Sequence, residues 1–214
     1  MHIRIKICGL TREEDVKCAI KAGADALGFV FTESPRRVSI DTAIGLLRHV
    51  PQGILRVGLF LDQERFEISS VVNSVALDVL QFHGNETERD CNYFGLPWLK
   101  AVAMEDAESA ARAELEYPGA MGLLLDSHAR GERGGSGRSF DWSLCRSLSK
   151  PVWLAGGLNA ANVSQAIRSV SPYAVDVSSG VEASPGIKDA SRISSFIRAV
   201  RATEMKLQME TAND

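Results

Sequence analysis

Ile3-Arg4-Ile5-Lys6-Ile7-Cys8, followed by Gly9-Leu10-Thr11-Arg12-Glu13-Glu14, decides the fold. The first six residues alternate strictly, with Ile3, Ile5 and Ile7 on one face and Arg4, Lys6 and Cys8 on the other, the period of a β-strand. The next residues turn the chain. Thr11 with Glu14 predicts a capping box, and Gly23 predicts the end of the helix it opens. Short strand-like runs rich in β-branched and aromatic residues then recur at 26–31, 54–61, 78–83, 97–102, 121–126, 152–155 and 173–178. Between them lie helical periods. Val163, Ala166, Ile167 and Val170 form one apolar stripe and Ile193, Phe196, Ile197 and Val200 another. Asn159 is placed to cap the first of these, and Pro51 closes the second helical run of the chain.

Eight strand–helix units without a Pro- or Ser-rich linker predict an α/β protein built as a single (β/α)8 barrel, the TIM barrel architecture. An open doubly wound sheet is the competing arrangement. It would normally carry a Gly-rich turn after the first strand, where this chain has the single Gly9. The barrel is assigned to residues 1–204, and the polar segment 205–214 reads as a frayed tail. In the first, third, fourth and eighth strands the more apolar face is assigned to the helix-covered outside. That puts Lys6, Arg56, Gln81 and Asp176 in the interior, where opposite charges can pair.

Composition sets outer limits. The 214 residues are 45% hydrophobic and 24% charged with a formal net charge of −3, which excludes a disordered chain and disfavours a nucleic-acid binder. Four cysteines form no Cys-x-x-Cys pair and the histidines are scattered, so neither a metal site nor a disulfide framework is expected. No apolar run is long enough to span a bilayer, and the N-terminus reads as a strand rather than a signal peptide. The expectation is a cytoplasmic protein with reduced thiols and no membrane partner.

Barrel active sites gather at the C-terminal ends of the strands. Those ends carry Cys8, Thr32, Asp62, His83, Asp126, Gly156 and Ser178. Cys18, Cys91 and Cys145 fall in helical stretches and read as small buried hydrophobes, whereas Cys8 points inward at a strand end and can act as a base once ionised. Asp126 ends the run Gly122-Leu123-Leu124-Leu125, and a carboxyl there suits a general acid. Gly156-Gly157 and Ser178-Ser179-Gly180 follow the seventh and eighth strands, where barrels often hold phosphate on backbone N–H groups. Gly134-Gly135-Ser136-Gly137 is placed to act as a lid. Arg36 and Arg37 follow the second strand, where an arginine can grip a carboxylate bidentately.

These residues also carry a resemblance. Lys6-Ile7-Cys8-Gly9-Leu10-Thr11, Gly28-Phe29-Val30-Phe31, Ser34-Pro35-Arg36, Arg56-Val57-Gly58 and Gln81-Phe82-His83-Gly84 resemble motifs of the phosphoribosylanthranilate isomerases. So do Leu124-Leu125-Asp126, Leu154-Ala155-Gly156-Gly157-Leu158 and Asp176-Val177-Ser178-Ser179-Gly180-Val181-Glu182, all in the same order along the chain. The resemblance implies an aldose–ketose isomerase that rearranges N-(5′-phosphoribosyl)anthranilate in tryptophan biosynthesis without cofactor or metal. It implies Cys8 as general base and Asp126 as general acid. Arg36 would hold the anthranilate carboxylate, and Gly156, Gly157, Ser178, Ser179 and Gly180 the phosphate. Lys6, His83 and Asp176 complete the expected pocket. A one-residue slip would hand the carboxylate to Arg37, which stands where the family often has an aromatic residue. The expected partner is the small phosphorylated sugar–anthranilate substrate, and the expected state a monomer or homodimer. Two other readings are a sugar-phosphate isomerase of histidine biosynthesis, which uses an aspartate where this chain has Cys8, and a non-catalytic phosphosugar-binding barrel, which has no need of the acid and base.

Overall fold

The computed structural model describes residues 2–127, 140–145 and 148–212. Eight parallel strands close on themselves in the order β1 to β8, each hydrogen-bonded to its chain neighbour and β8 returning to β1. They are β1 (Arg4–Cys8), β2 (Ala26–Val30), β3 (Leu55–Phe60), β4 (Val79–Phe82), β5 (Trp98–Ala103), β6 (Gly122–Asp126), β7 (Val152–Leu154) and β8 (Ala174–Val177). The chain is a (β/α)8 barrel, as the strand periods predict. Helices α1 (Glu13–Ala22), α2 (Ile40–Leu47), α3 (Arg65–Ser74), α4 (Glu88–Asn92) and α5 (Ser109–Glu116) follow the first five strands. After β6 the described residues hold a 3₁₀ turn, Trp142–Leu144, and α6 (Val163–Val170) follows β7. The eighth unit is elaborated. A 3₁₀ turn, Ser179–Val181, leads into a small antiparallel hairpin of β9 (Glu182–Ser184) and β10 (Ile187–Lys188) before α7 (Ala190–Ala212). The proposed lid, Gly134 to Gly137, lies outside the described residues.

Two apolar layers follow from strand parity. Ile5, Ile7, Phe29, Phe60, Phe82, Leu123 and Val175 face outward and join Val16, Ile167, Phe196 and Val200 of the helices. Val57, Leu59, Val79, Leu99, Leu124 and Trp153 fill the barrel interior with Cys8. The assigned faces hold for β1, β4 and β8. They are reversed for β3, where Val57 and Leu59 point inward and Phe60 stacks outside on Phe31 with 5.6 Å between centroids. Arg56 therefore leaves the interior and reaches the Val50 carbonyl at the N-terminal rim. Branched side chains are what the closed interior packs best, so on this strand the apolar face is the inner one.

The helix signals divide between confirmed and displaced. Gly23 adopts a left-handed conformation (φ 100°) as the C-cap of α1, and Ala24 N–H returns to Ala19 O at 3.0 Å. Thr11 does not cap α1. The helix begins two residues later, and the Thr11 hydroxyl donates to Gly186 O across to the β9–β10 hairpin. Asn159 caps the turn before α6, accepting from Ala161 N–H, rather than the helix itself. Residues 205–212 of the polar C-terminal segment are helical rather than frayed, for α7 runs on to Ala212 and Glu210 pairs with Arg168 at 2.9 Å.

Candidate active site

The C-terminal ends of the strands enclose a mouth of about 800 Å³, counting the part open to solvent. Of the seven residues picked by strand position, Cys8, Thr32, His83, Asp126, Gly156 and Ser178 line it. Asp62 does not. It turns away to accept from the backbone and side-chain amides of Asn85.

β1 supplies Lys6 and Cys8 by alternation, two residues apart on the inner face. Parallel register sets Lys6 beside Asp176 of β8, and the two form a buried ion pair at 2.9 Å. Burial works against the Lys6 ammonium, but Asp176 and Cys8 hold its pKa above the ordinary lysine value. Burial pushes the Cys8 thiol up, against the pull of the Lys6 and Lys188 cations. Gly28 on β2 makes room for that thiol, since a Cβ there would stand 2.9 Å from Cys8 Sγ.

β4 and β6 build the facing side of the rim. His83 Nε2 lies 3.8 Å from Asp126 Oδ2 and 3.5 Å from Gln81 Nε2. Burial lowers the His83 pKa to about 4 despite the neighbouring Asp126, so its ring is neutral at pH 7. Asp126 Oδ1 accepts from the Ser127 backbone N–H at 2.6 Å. Asp126 stands three strand positions from Cys8 around the ring, so a thiol and a carboxyl address one mouth from different sides.

Gly156 and Gly157, at φ 80° and 62°, carry their backbone along the rim beside Ser178 and Ser179. Gly180 lies behind that rim rather than on it. It packs against the Leu158 carbonyl so closely that a Cβ would meet the oxygen at 1.9 Å. Arg36 is buried and lines the mouth, whereas Arg37 is exposed and its backbone bridges to Val30. The Arg36 guanidinium is already forked on a carboxylate of the protein itself, with Nε to Glu182 Oε1 at 2.8 Å and Nη2 to Oε2 at 2.7 Å.

Sequence reading did not single out Glu182 as a site residue, and it missed Lys188. A second buried pair went unseen on the other side of the barrel. Lys100 bonds Glu86 at 2.8 Å and Gly84 O at 2.6 Å, while Glu86 accepts from the Gly84 N–H. Lysines within otherwise apolar strands were the available signal for Lys100, because a buried cation demands a partner.

Chemically, the mouth holds a thiol that feels the Lys6 and Lys188 cations, a carboxyl three strands away around the ring, and the backbone of Gly156, Gly157, Ser178 and Ser179 along its rim. The family model of N-(5'phosphoribosyl)anthranilate (PRA) isomerase matches residues 5–199. The chain belongs to the phosphoribosylanthranilate isomerase family. Within that family it is 50% identical over 202 residues to the N-(5'-phosphoribosyl)anthranilate isomerase of Pseudomonas putida strain W619, covering 94% of this chain and 98% of that protein. The phosphoribosyl anthranilate isomerase structure from Thermotoga maritima superposes with a TM-score of 0.86 at 40% identity, over 94% of this chain and 100% of that one. A phosphoribosyl anthranilate isomerase solved with reduced 1-(o-carboxyphenylamino)-1-deoxyribulose 5-phosphate gives a TM-score of 0.81 at 37% identity, with the same coverage of both chains. Phosphoribosylanthranilate isomerases thus match this chain in sequence and in fold across nearly its whole length.

Proposed function

We infer that this chain catalyses the Amadori rearrangement of N-(5′-phosphoribosyl)anthranilate to 1-(2-carboxyphenylamino)-1-deoxyribulose 5-phosphate, an aldose–ketose isomerisation of tryptophan biosynthesis. Family membership over residues 5–199 carries the reading. The reaction needs one acid and one base and no redox partner. Asp126 protonates the furanose ring oxygen, and the ring opens to an iminium ion. Cys8 as thiolate removes the C2′ proton, and the resulting enolamine tautomerises to the ketone. Burial raises the Cys8 thiol, and the Lys6 and Lys188 cations favour the thiolate and reduce that rise without cancelling it. The phosphate sits on the backbone at Gly156, Gly157, Ser178 and Ser179, with Gly180 holding the two loops together from behind. Arg36 receives the anthranilate carboxylate, an assignment supported by its burial at the mouth while Arg37 is exposed.

The ligand is a small phosphorylated sugar. Among the described residues no helix is long and apolar enough to cross a membrane, in keeping with a cytoplasmic enzyme. A related structure is of monomers generated from the dimeric phosphoribosylanthranilate isomerase of Thermotoga maritima, and this chain is assigned as a monomer or homodimer.

The test is the loss of substrate fluorescence on turnover. Cys8→Ala and Asp126→Asn should each lower kcat by about 10²–10⁴-fold, the usual contribution of a proton-transfer group, with substrate binding retained. Near-normal turnover in either variant removes the role assigned to that residue.

A further inference from the structure

Glu182 lies at the start of the β9–β10 hairpin, buried, and both its oxygens are engaged. Oε1 accepts from Arg36 Nε at 2.8 Å, Lys188 Nζ at 2.8 Å and Gly186 N at 3.3 Å, and Oε2 accepts from Arg36 Nη2 at 2.7 Å. Burial opposes its charge, yet Arg36 and Lys188 keep its pKa below the usual carboxylate value. Lys188, itself buried, also donates to the Ser178 carbonyl at 3.1 Å. Its own backbone N–H is fixed at 3.1 Å by Asp15 of α1, which Arg12 grips in turn. The stem of Arg36 crosses Gly9 so tightly that a Cβ there would stand 2.5 Å from Arg36 Cδ. One carboxylate thus fixes the arginine on the loop after β2, and the lysine beside it fixes the loop after β8.

A guanidinium carries five N–H donors in a rigid planar fork. Glu182 takes the edge made by Nε and Nη2. The second edge, made by both Nη groups, is the other place where a carboxylate can bind bidentately. We propose that Glu182 is a positioning residue that sets substrate specificity: by holding one edge of Arg36, it aims the other at the carboxylate of an aromatic aminosugar phosphate. Lys188 supports it by keeping Glu182 ionised and in place. The inference rests on the assignment of Arg36 to the substrate carboxylate.

Binding of two ligands tests it, the reduced product analogue and the same molecule without its carboxyl group, together with KM and kcat. Wild-type protein should prefer the carboxylated ligand, and Arg36→Met should lose that preference. If wild type shows no preference, or Arg36→Met keeps it, the Arg36 assignment fails. Glu182→Gln should weaken the carboxylated ligand about tenfold or more and raise KM in step, the scale of a small misplacement. Binding of the ligand without a carboxyl group, and kcat, should hold within about threefold, and the change should add nothing in an Arg36→Met background. Glu182→Asp keeps the charge but withdraws it by one methylene and should show the same selective loss, so it carries the test alone if Glu182→Gln does not fold. With the Arg36 assignment intact, Glu182 variants that bind both ligands as wild type does, or lose both equally, overturn the proposal.

Discussion

Cys8 and His83 stand on the same rim, and burial drives both toward neutrality, raising the thiol and lowering the imidazole to about 4. The consequence for His83 is measurable in stability. The unfolded chain takes up a proton at His83 near the ordinary histidine value of 6.5, while the folded protein refuses it until about 4. Between those values the unfolded state holds more protons, so stability falls as pH drops from 6.5 to 4 and is fully present above that window. The gap corresponds to up to about 3 kcal/mol. His83→Asn should therefore flatten the decline of urea-unfolding free energy across pH 6.5 to 4 relative to wild type. At this scale the sequence was most informative where position alone carried the inference. Cys8, His83 and Asp126 were readable because strand ends converge in a barrel. Lys6 and Asp176 were readable as interior charges of opposite sign because strand parity turns both inward. Glu182 as the partner of Arg36 was not, because 146 positions separate the two residues and no local pattern ties them.

At the scale of elements, long-range contacts displaced several local preferences. Thr11 has the spacing of a capping box, yet its hydroxyl serves the hairpin carbonyl of Gly186. Arg56 misleads about the inner face of β3, because a charge marks the interior only away from the ends of a strand. Arg56 sits at the N-terminal rim, where a long side chain can reach the Val50 carbonyl. The β9–β10 hairpin was not anticipated, since its strands span three and two residues and carry no readable period. The loops after β7 and β8 were located correctly, but Gly180 acts through packing. Gly180→Ala drives a methyl into the Leu158 carbonyl, where the backbone must move. The expected outcome is a lower melting temperature, by an amount matching about 1–3 kcal/mol for an overpacked site. KM should rise as the loops proposed to hold the phosphate separate. An unchanged KM for the phosphorylated substrate would remove Gly180 from that role.

At the scale of the whole molecule, the two ends of the barrel are built for different purposes. Away from the mouth, Glu204 of α7 accepts the Ile3 N–H at 2.7 Å and pairs with Arg201, which also reaches the Ile3 carbonyl and Asp25. This network fastens the last helix across the bottom of the first strand. Glu204→Ala leaves the buried Ile3 N–H without its acceptor and takes one acceptor from Arg201, and should destabilise the fold by about 1–3 kcal/mol. Because the network lies at the opposite end from Cys8 and Asp126, kcat at a temperature where the variant is folded should stay at the wild-type value. A large drop in kcat would show that the two ends are mechanically coupled. The eight-unit architecture itself was legible throughout, because each strand repeats the same period and each is followed by a turn.

The pairing of β1 with β8 has a consequence for biosynthesis. Lys6 and Asp176 are 170 positions apart, and Arg36 waits for Glu182 over a similar span. A chain emerging from the ribosome carries Cys8 early but has no electrostatic surroundings for its thiol until the final quarter has been made. Until then the first strand is an unpaired edge, and its thiol belongs to no site. Closing so long a loop is slow compared with forming local helices. Activity should therefore appear abruptly, when the last unit docks, rather than growing with chain length.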